Sequence, residues 1–120
     1  MTIIKRVSDA ISGKAPLSAK RSSKWPLVRK NYLQFNPTCS VCGRSESIEV
    51  HHIRPFHLHP DLELDPKNLI SLCESKWFGG LNCHLLVGHL GSFKSWNETV
   101  KKDAAFLAKK FLTRPTVEKE

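Results

Sequence analysis

Four cysteines in a chain of 120 residues limit what this sequence can fold into more than any other feature. A chain this short buries only about two-thirds of the surface that its unfolded form exposes, so a staple adds much to a modest core. Four Cys in such a chain mean either two disulfides or one metal site. Met1-Thr2-Ile3-Ile4-Lys5-Arg6 runs into polar and charged residues, without the apolar stretch of about 7 to 15 residues that a secretory signal carries. Nothing approaches the roughly 20 apolar residues of a membrane span. The expectation is therefore a reducing cytoplasm, where paired cysteines hold metal more often than each other.

The net charge of +8 is uneven. Residues 1–38 carry eight Lys/Arg against one Asp, 39–83 four against six acidic side chains, and 84–120 seven against four. Basic flanks around a near-neutral middle fit a polyanionic partner, because each neutralised phosphate releases counterions; a solvated basic surface is the plainer reading. Residues 1–22, with Gly13 and Pro16 as breakers, read as a mobile basic arm. From Lys24 a short basic helix is predicted: Pro26 suits its first turn, Val28, Tyr32 and Phe35 recur at helical spacing, and Asn36-Pro37 ends it. Arg29 and Lys30 lie exposed beside the apolar face. Strands are expected around Glu49–Ile53 and Asn68–Cys73, joined by a proline-marked connection anchored by Leu58, Leu62 and Leu64. Cys83-His84-Leu85-Leu86-Val87 reads as the start of a short helix near Gly88. In the last helix, capped by Asn97, residues Val100, Ala104, Leu107 and Phe111 share a face, with Lys101, Lys102, Lys109 and Lys110 off it. The domain is expected over 23–114, with a tail at 115–120.

Taken in order, the chain presents Cys39-x-x-Cys42, Val50-His51-His52-Ile53-x-Pro55, Asn68-Leu69-Ile70-x-Leu72-Cys73 and Cys83-His84. Over roughly residues 24–100 this arrangement resembles the HNH nuclease family, whose members share a ββα-metal core. The implied fold is a small α+β domain with that core, a structural zinc site and flanking helices. Neighbouring residues on a strand point to opposite sides, so His51 and His52 cannot do the same job. By resemblance, His51 and His84 are ligands of a catalytic ion, His52 is the general base and Asn68 holds the connection that orients His52. An imidazole with an ordinary pKa of about 6.5 can take a proton from water near neutral pH, as phosphodiester hydrolysis requires. Two protein ligands leave room for water and phosphate oxygens, which suits Mg²⁺ or Mn²⁺, although imidazoles also accept Ni²⁺, Co²⁺ or Zn²⁺.

Cys39, Cys42, Cys73 and Cys83 are the implied structural zinc ligands. Residues 74–82 separate Cys73 from Cys83 where the family commonly has a second Cys-x-x-Cys, so Cys73 is the least constrained, with a histidine as its alternative. A loop with Trp77 and Gly79-Gly80 is expected to close the gap. His89 is either a third ligand of the catalytic ion, as in the nuclease colicins, or structural. His57 and His59 are read as structural or phosphate-facing, and Arg54 as a phosphate contact or a surface residue, with Arg29 and Lys30 also offered to DNA. Relatives with such a His-His-Ile segment are frequent in phages and prophages, often near genome-packaging genes. The resemblance thus implies a monomeric DNA endonuclease in a bacterial cytoplasm, with DNA and phage packaging proteins as partners. The rivals are a non-catalytic zinc-ribbon DNA binder and a zinc module for protein contacts.

Overall fold

The buried apolar residues gather around the cysteines. A computed structural model describes residues 20–74 and 82–117. Positions 1–19 of the expected arm, the Trp77 and Gly79-Gly80 loop and residues 118–120 lie outside them.

Helix α1 spans Trp25–Phe35 with Pro26 in its first turn, where the missing N–H would have had no partner within the helix. It ends at Asn36, whose N–H and side-chain amide both donate to the Tyr32 carbonyl. The Tyr32 hydroxyl donates to the Leu69 carbonyl at 2.9 Å and the Ser71 hydroxyl to the Asn36 carbonyl at 2.7 Å. The end of α1 therefore meets the sheet through its backbone. This leaves Phe35, expected on the inner face, 84% exposed.

Strands β1 (Ile48–His52) and β2 (Leu69–Cys73) pair antiparallel, with His51 opposite Ile70 and His52 opposite Leu69. All five residues of β2 are buried, so it is covered on both faces. The connection at 53–68 is held by Asn68. Its Oδ1 accepts the Arg54 N–H at 2.8 Å, and its Nδ2 donates to the carbonyls of Arg54 and Leu62, each at 3.2 Å. Its own carbonyl accepts the Ile53 N–H, carrying the ladder one pair beyond β1. Of the leucines expected to anchor this connection, Leu58 is buried while Leu62 and Leu64 are half-buried.

The third part of the core unit is a single wide turn, His84–Gly88, closed by an i to i+5 hydrogen bond from the His89 N–H to the His84 carbonyl at 3.1 Å. Asn82 starts it by accepting the Leu85 N–H on its side chain. Helix α2 follows over Val100–Thr113. Asn97 is not its cap residue, because Thr99 holds that place. Instead the Asn97 Oδ1 accepts from the Thr99 N–H and hydroxyl, and its Nδ2 donates to the Val87 carbonyl and to Asp103. It thereby ties the wide turn to α2. Val100 and Ala104 are buried and Leu107 packs against the core, but Phe111 on the same stripe is exposed because the core reaches no further along the helix.

The buried cluster consists of Cys39, Val41, Ile53, Ile70, Leu72, Cys73, Cys83, Val100 and Ala104. Three of these are cysteines, so the thiols are part of the interior. No helix among the described residues is long and apolar enough to cross a membrane.

Candidate active site and metal centres

Two groups of side chains with metal-ligating atoms converge, and each draws on residues far apart in sequence. In the first, Cys39 and Cys42 stand on a tight turn in which the Gly43 N–H donates to the Cys39 carbonyl and the Cys39 N–H to the Arg44 carbonyl. Gly43 has φ +79°, a left-handed conformation that costs a glycine nothing. The Ser40 N–H donates to the Ser71 carbonyl, which fixes this turn against β2. Cys73 closes β2, and Cys83 directly precedes the wide turn. None of the four forms a disulfide. Cys42 Sγ and Cys73 Sγ are 3.6 Å apart, and sulfur atoms about 2.3 Å from one tetrahedral zinc would stand about 3.8 Å apart.

Electrostatics say the same. A hydrogen bond from the Cys83 side chain, helped by backbone N–H groups, lowers the Cys39 thiol to about 4. Burial raises Cys42 to about 11, and the Cys39 partner raises Cys83. A lowered Cys39 beside a raised Cys42 and Cys83 is expected where thiols face a common point that a dication would neutralise. Cys73, the least constrained position in the sequence, is fully buried within this group. The four cysteines form a possible metal site suited to zinc.

The second group is His51, His84 and His89. His51 comes from β1 and is 3% exposed; His84 opens the wide turn and His89 follows it. His84 Nε2 lies 3.1 Å from His51 Nδ1 and 3.2 Å from His89 Nε2. Nitrogens about 2.0 to 2.1 Å from one ion stand about 2.9 Å apart at octahedral angles and about 3.3 Å apart at tetrahedral ones. His89 Nδ1 is 2.7 Å from the Ser95 carbonyl. A carbonyl only accepts, so that nitrogen carries the proton and Nε2 turns a lone pair toward its neighbours. His51 Nε2 and His84 Nδ1 are buried without hydrogen-bond partners among the described residues. Glu74 Oε1 approaches His84 Nδ1 at 3.7 Å. Burial, then the neighbouring imidazoles, lower His51 to about 3, and burial also lowers His84. Both are neutral at pH 7, the form in which an imidazole binds metal. As pH falls from the ordinary value of about 6.5 toward 3, the unfolded chain takes up the His51 proton first, and the folded form loses stability.

Gly88 makes room for this group. A Cβ there would stand 3.2 Å from His51 Cε1, 3.3 Å from His51 Nδ1 and 3.0 Å from Leu72 Cδ1. Gly88→Ala is accordingly expected to weaken metal binding at the histidines by at least about tenfold, and to cost about 1–3 kcal/mol in folding. Calorimetric titration of the histidine site checks this; unchanged affinity would show that the ring steps aside freely.

His52, on the opposite side of β1, lines the same cavity of about 360 Å³ as His51, His84 and His89. Its ring lies 4.4 Å from that of Trp25, and its Nε2 is 2.9 Å from the Glu63 carbonyl. Burial lowers its pKa, against the hydrogen bond to Glu63. Arg29 also lines the cavity and pairs with Glu49 at 3.4 Å, so it is less exposed than expected. Lys30 is exposed on α1. Arg54 is not in the histidine cavity; it lines a separate groove of about 450 Å³ with Lys67, Lys101 and Lys102. His57 is exposed at the rim of the histidine cavity and His59 is half-buried.

Several neighbours of His52 carried no signal in the sequence. Arg21 was read as part of a mobile arm, yet its Nε donates to Glu63 at 2.6 Å and the Ser22 N–H to the other Glu63 oxygen at 2.9 Å. Glu63 itself is 4% exposed, and no motif in the sequence marks it. Residues 39–75 match the family model described as HNH endonuclease. No curated protein and no solved structure matches the chain.

Proposed function

With an HNH endonuclease match over residues 39–75 as the premise, we propose that this chain is a metal-dependent endonuclease that hydrolyses DNA phosphodiester bonds at the histidine cavity. The observation that carries the reading is the convergence of three imidazole nitrogens, separated by 3.1 and 3.2 Å, beside a fourth histidine in one cavity. His51 Nδ1, His84 Nε2 and His89 Nε2 face one another, an arrangement in which one ion can take all three lone pairs.

His51, His84 and His89 would hold the catalytic ion, which when bound supplies Lewis-acid polarisation of the phosphate and stabilises the leaving oxygen. His52 acts as general base: neutral at pH 7, it takes a proton from the attacking water. Asn68 holds the 53–68 connection around Arg54 and Leu62, which keeps the loop behind His52 in place. Arg21 and Arg29, each paired with a glutamate, line the cavity, where their remaining guanidinium N–H groups would donate to a phosphate. The groove at Arg54, Lys67, Lys101 and Lys102 extends that charge along the α2 side, where it would follow the DNA backbone. Two ligands alone suggested Mg²⁺ or Mn²⁺; with His89 added, the all-imidazole set favours Ni²⁺, Co²⁺ or Zn²⁺. The four cysteines hold a structural Zn²⁺. The resemblance adds a context of phage DNA processing beside packaging proteins.

Supercoiled plasmid incubated with the EDTA-treated, zinc-repleted chain tests the proposal. Conversion to nicked or linear DNA on addition of Ni²⁺, Mn²⁺ or Mg²⁺, and none with EDTA, is the expected result. A folded, zinc-loaded chain that leaves plasmid intact with every ion would refute it.

A further inference from the structure

We infer that Glu63 is a positioning residue for His52: its buried carboxylate, gripped by Arg21 and Ser22, fixes the backbone carbonyl that receives the His52 Nε2 proton, which leaves Nδ1 as the nitrogen that accepts a proton from water. The kinetic part of this inference rests on the nuclease reading above; the tautomer does not.

Glu63 is a buried acid in a polar connection. Glu63 is 4% exposed, and charge is kept in such a place only when paired and hydrogen-bonded. Both oxygens are used, one by Arg21 Nε at 2.6 Å and the other by the Ser22 N–H at 2.9 Å. The Arg21 guanidinium in turn lies over the rings of Phe56 and Trp25, 4.7 and 5.6 Å from their centroids. Trp25 is the same ring that packs against His52. The segment before α1, the 53–68 connection and β1 thus meet at one side chain.

The main chain of Glu63 completes the device. Its N–H donates to the Pro60 carbonyl, and the preceding carbonyl, of Leu62, accepts from Asn68. The carbonyl of Glu63 faces His52 Nε2 at 2.9 Å. Because a carbonyl cannot donate, that nitrogen must carry the proton. Nδ1 then has a lone pair; it makes no hydrogen bond among the described residues and is not one of the buried unpaired atoms. The ring lines the histidine cavity, so the basic nitrogen is the one left accessible.

Long-range ¹H–¹⁵N correlation on the zinc-loaded full chain reads the tautomer directly. His52 is expected as the Nε2–H form at pH 7.5 in the wild type, and as a mixture of both tautomers in Glu63→Gln. Kinetically, Glu63→Gln should lower kcat on plasmid about tenfold or more while KM changes less than about twofold. Metal content and melting temperature are measured alongside, since a merely structural role would move those as much as kcat. Should Glu63→Gln not fold, Arg21→Ala and Arg21→Lys replace it, the lysine recovering part of the loss because it retains one donor toward Glu63. An Nδ1–H tautomer in the wild type overturns the inference even if plasmid is cut. The Nε2–H form in a chain that cuts nothing would sustain the positioning and reject the nuclease reading. Full kcat in Glu63→Gln, or a fall matched by lost metal, would reject the positioning role.

Discussion

Replacement of His52 by alanine is expected to slow plasmid cleavage by about 10²–10⁴-fold, the usual contribution of a positioned general base. Structure and metal content should survive. The ring is half-buried, packs on Trp25 and makes one hydrogen bond to a loop carbonyl, so its removal leaves a small gap beside the cavity. None of the three clustered imidazoles uses His52 as a partner. The matched measurements are kcat on supercoiled plasmid, metal per chain, and the melting temperature. A pH profile adds a signed check. Burial lowers the His52 pKa, so the base form persists below the ordinary imidazole value of about 6.5, and the acid limb of kcat should fall below that value. Equal cutting by wild type and variant would remove His52 from the chemistry, whatever the ion at His51.

The second large effect is expected on folding. Cys83→Ala should release zinc and unfold the chain, because structural zinc sites supply about 10–16 kcal/mol in small zinc modules and a domain of this size is stable by only about 5–15 kcal/mol. The core gives the reason. Of its nine buried members, three are cysteines, and the remaining apolar residues come from β1's exit, β2, the turn at Val41 and the first two turns of α2. Without an ion, four thiols face one another, with Cys39 lowered and Cys42 and Cys83 raised by that crowding and by burial. The loss should also erase the candidate active site. Cys83 and His84 are adjacent, as are Cys73 and Glu74, so the residues that anchor the thiol site also carry the histidine ligand and its nearby carboxylate. Circular dichroism and metal analysis of the variant, and of the wild type after chelation, check this. A folded, zinc-free chain that still cuts DNA would show that the thiols are incidental.

Much of this was legible in the residues themselves. Cysteine spacing, a histidine pair on a five-residue strand, an asparagine ahead of the second strand and a Cys-His after it point to the α+β core and to the residues of two candidate ligand sets, because each depends on residue type and local period. Helix α1 and helix α2 could be placed within a residue or two from Pro26, Asn36 and the 3.6-residue apolar repeat. What periodicity could not say was how far the core extends, so Phe35 and Phe111 fall on expected inner faces yet stay exposed among the described residues, at 84% and 39%.

His89 marks the boundary most clearly. Five residues after His84, it would sit off the face of an ordinary α-helix, and the sequence left it between ligand and structural roles. Closure of the turn by an i to i+5 bond widens it and stacks the two histidines on one side. Which turn forms depends on Gly88 packing under His51 and on Asn97 holding the Gly88 and Val87 carbonyls from outside. Glu63 and Arg21 belong to the same category, since their pairing across 42 positions has no local signature. The order and chemistry of the ligands were therefore set by the one-dimensional chain. Their convergence, and the partners that orient His52, came from contacts between segments distant in sequence, because a hydrogen bond or a shared ion depends on separation in space.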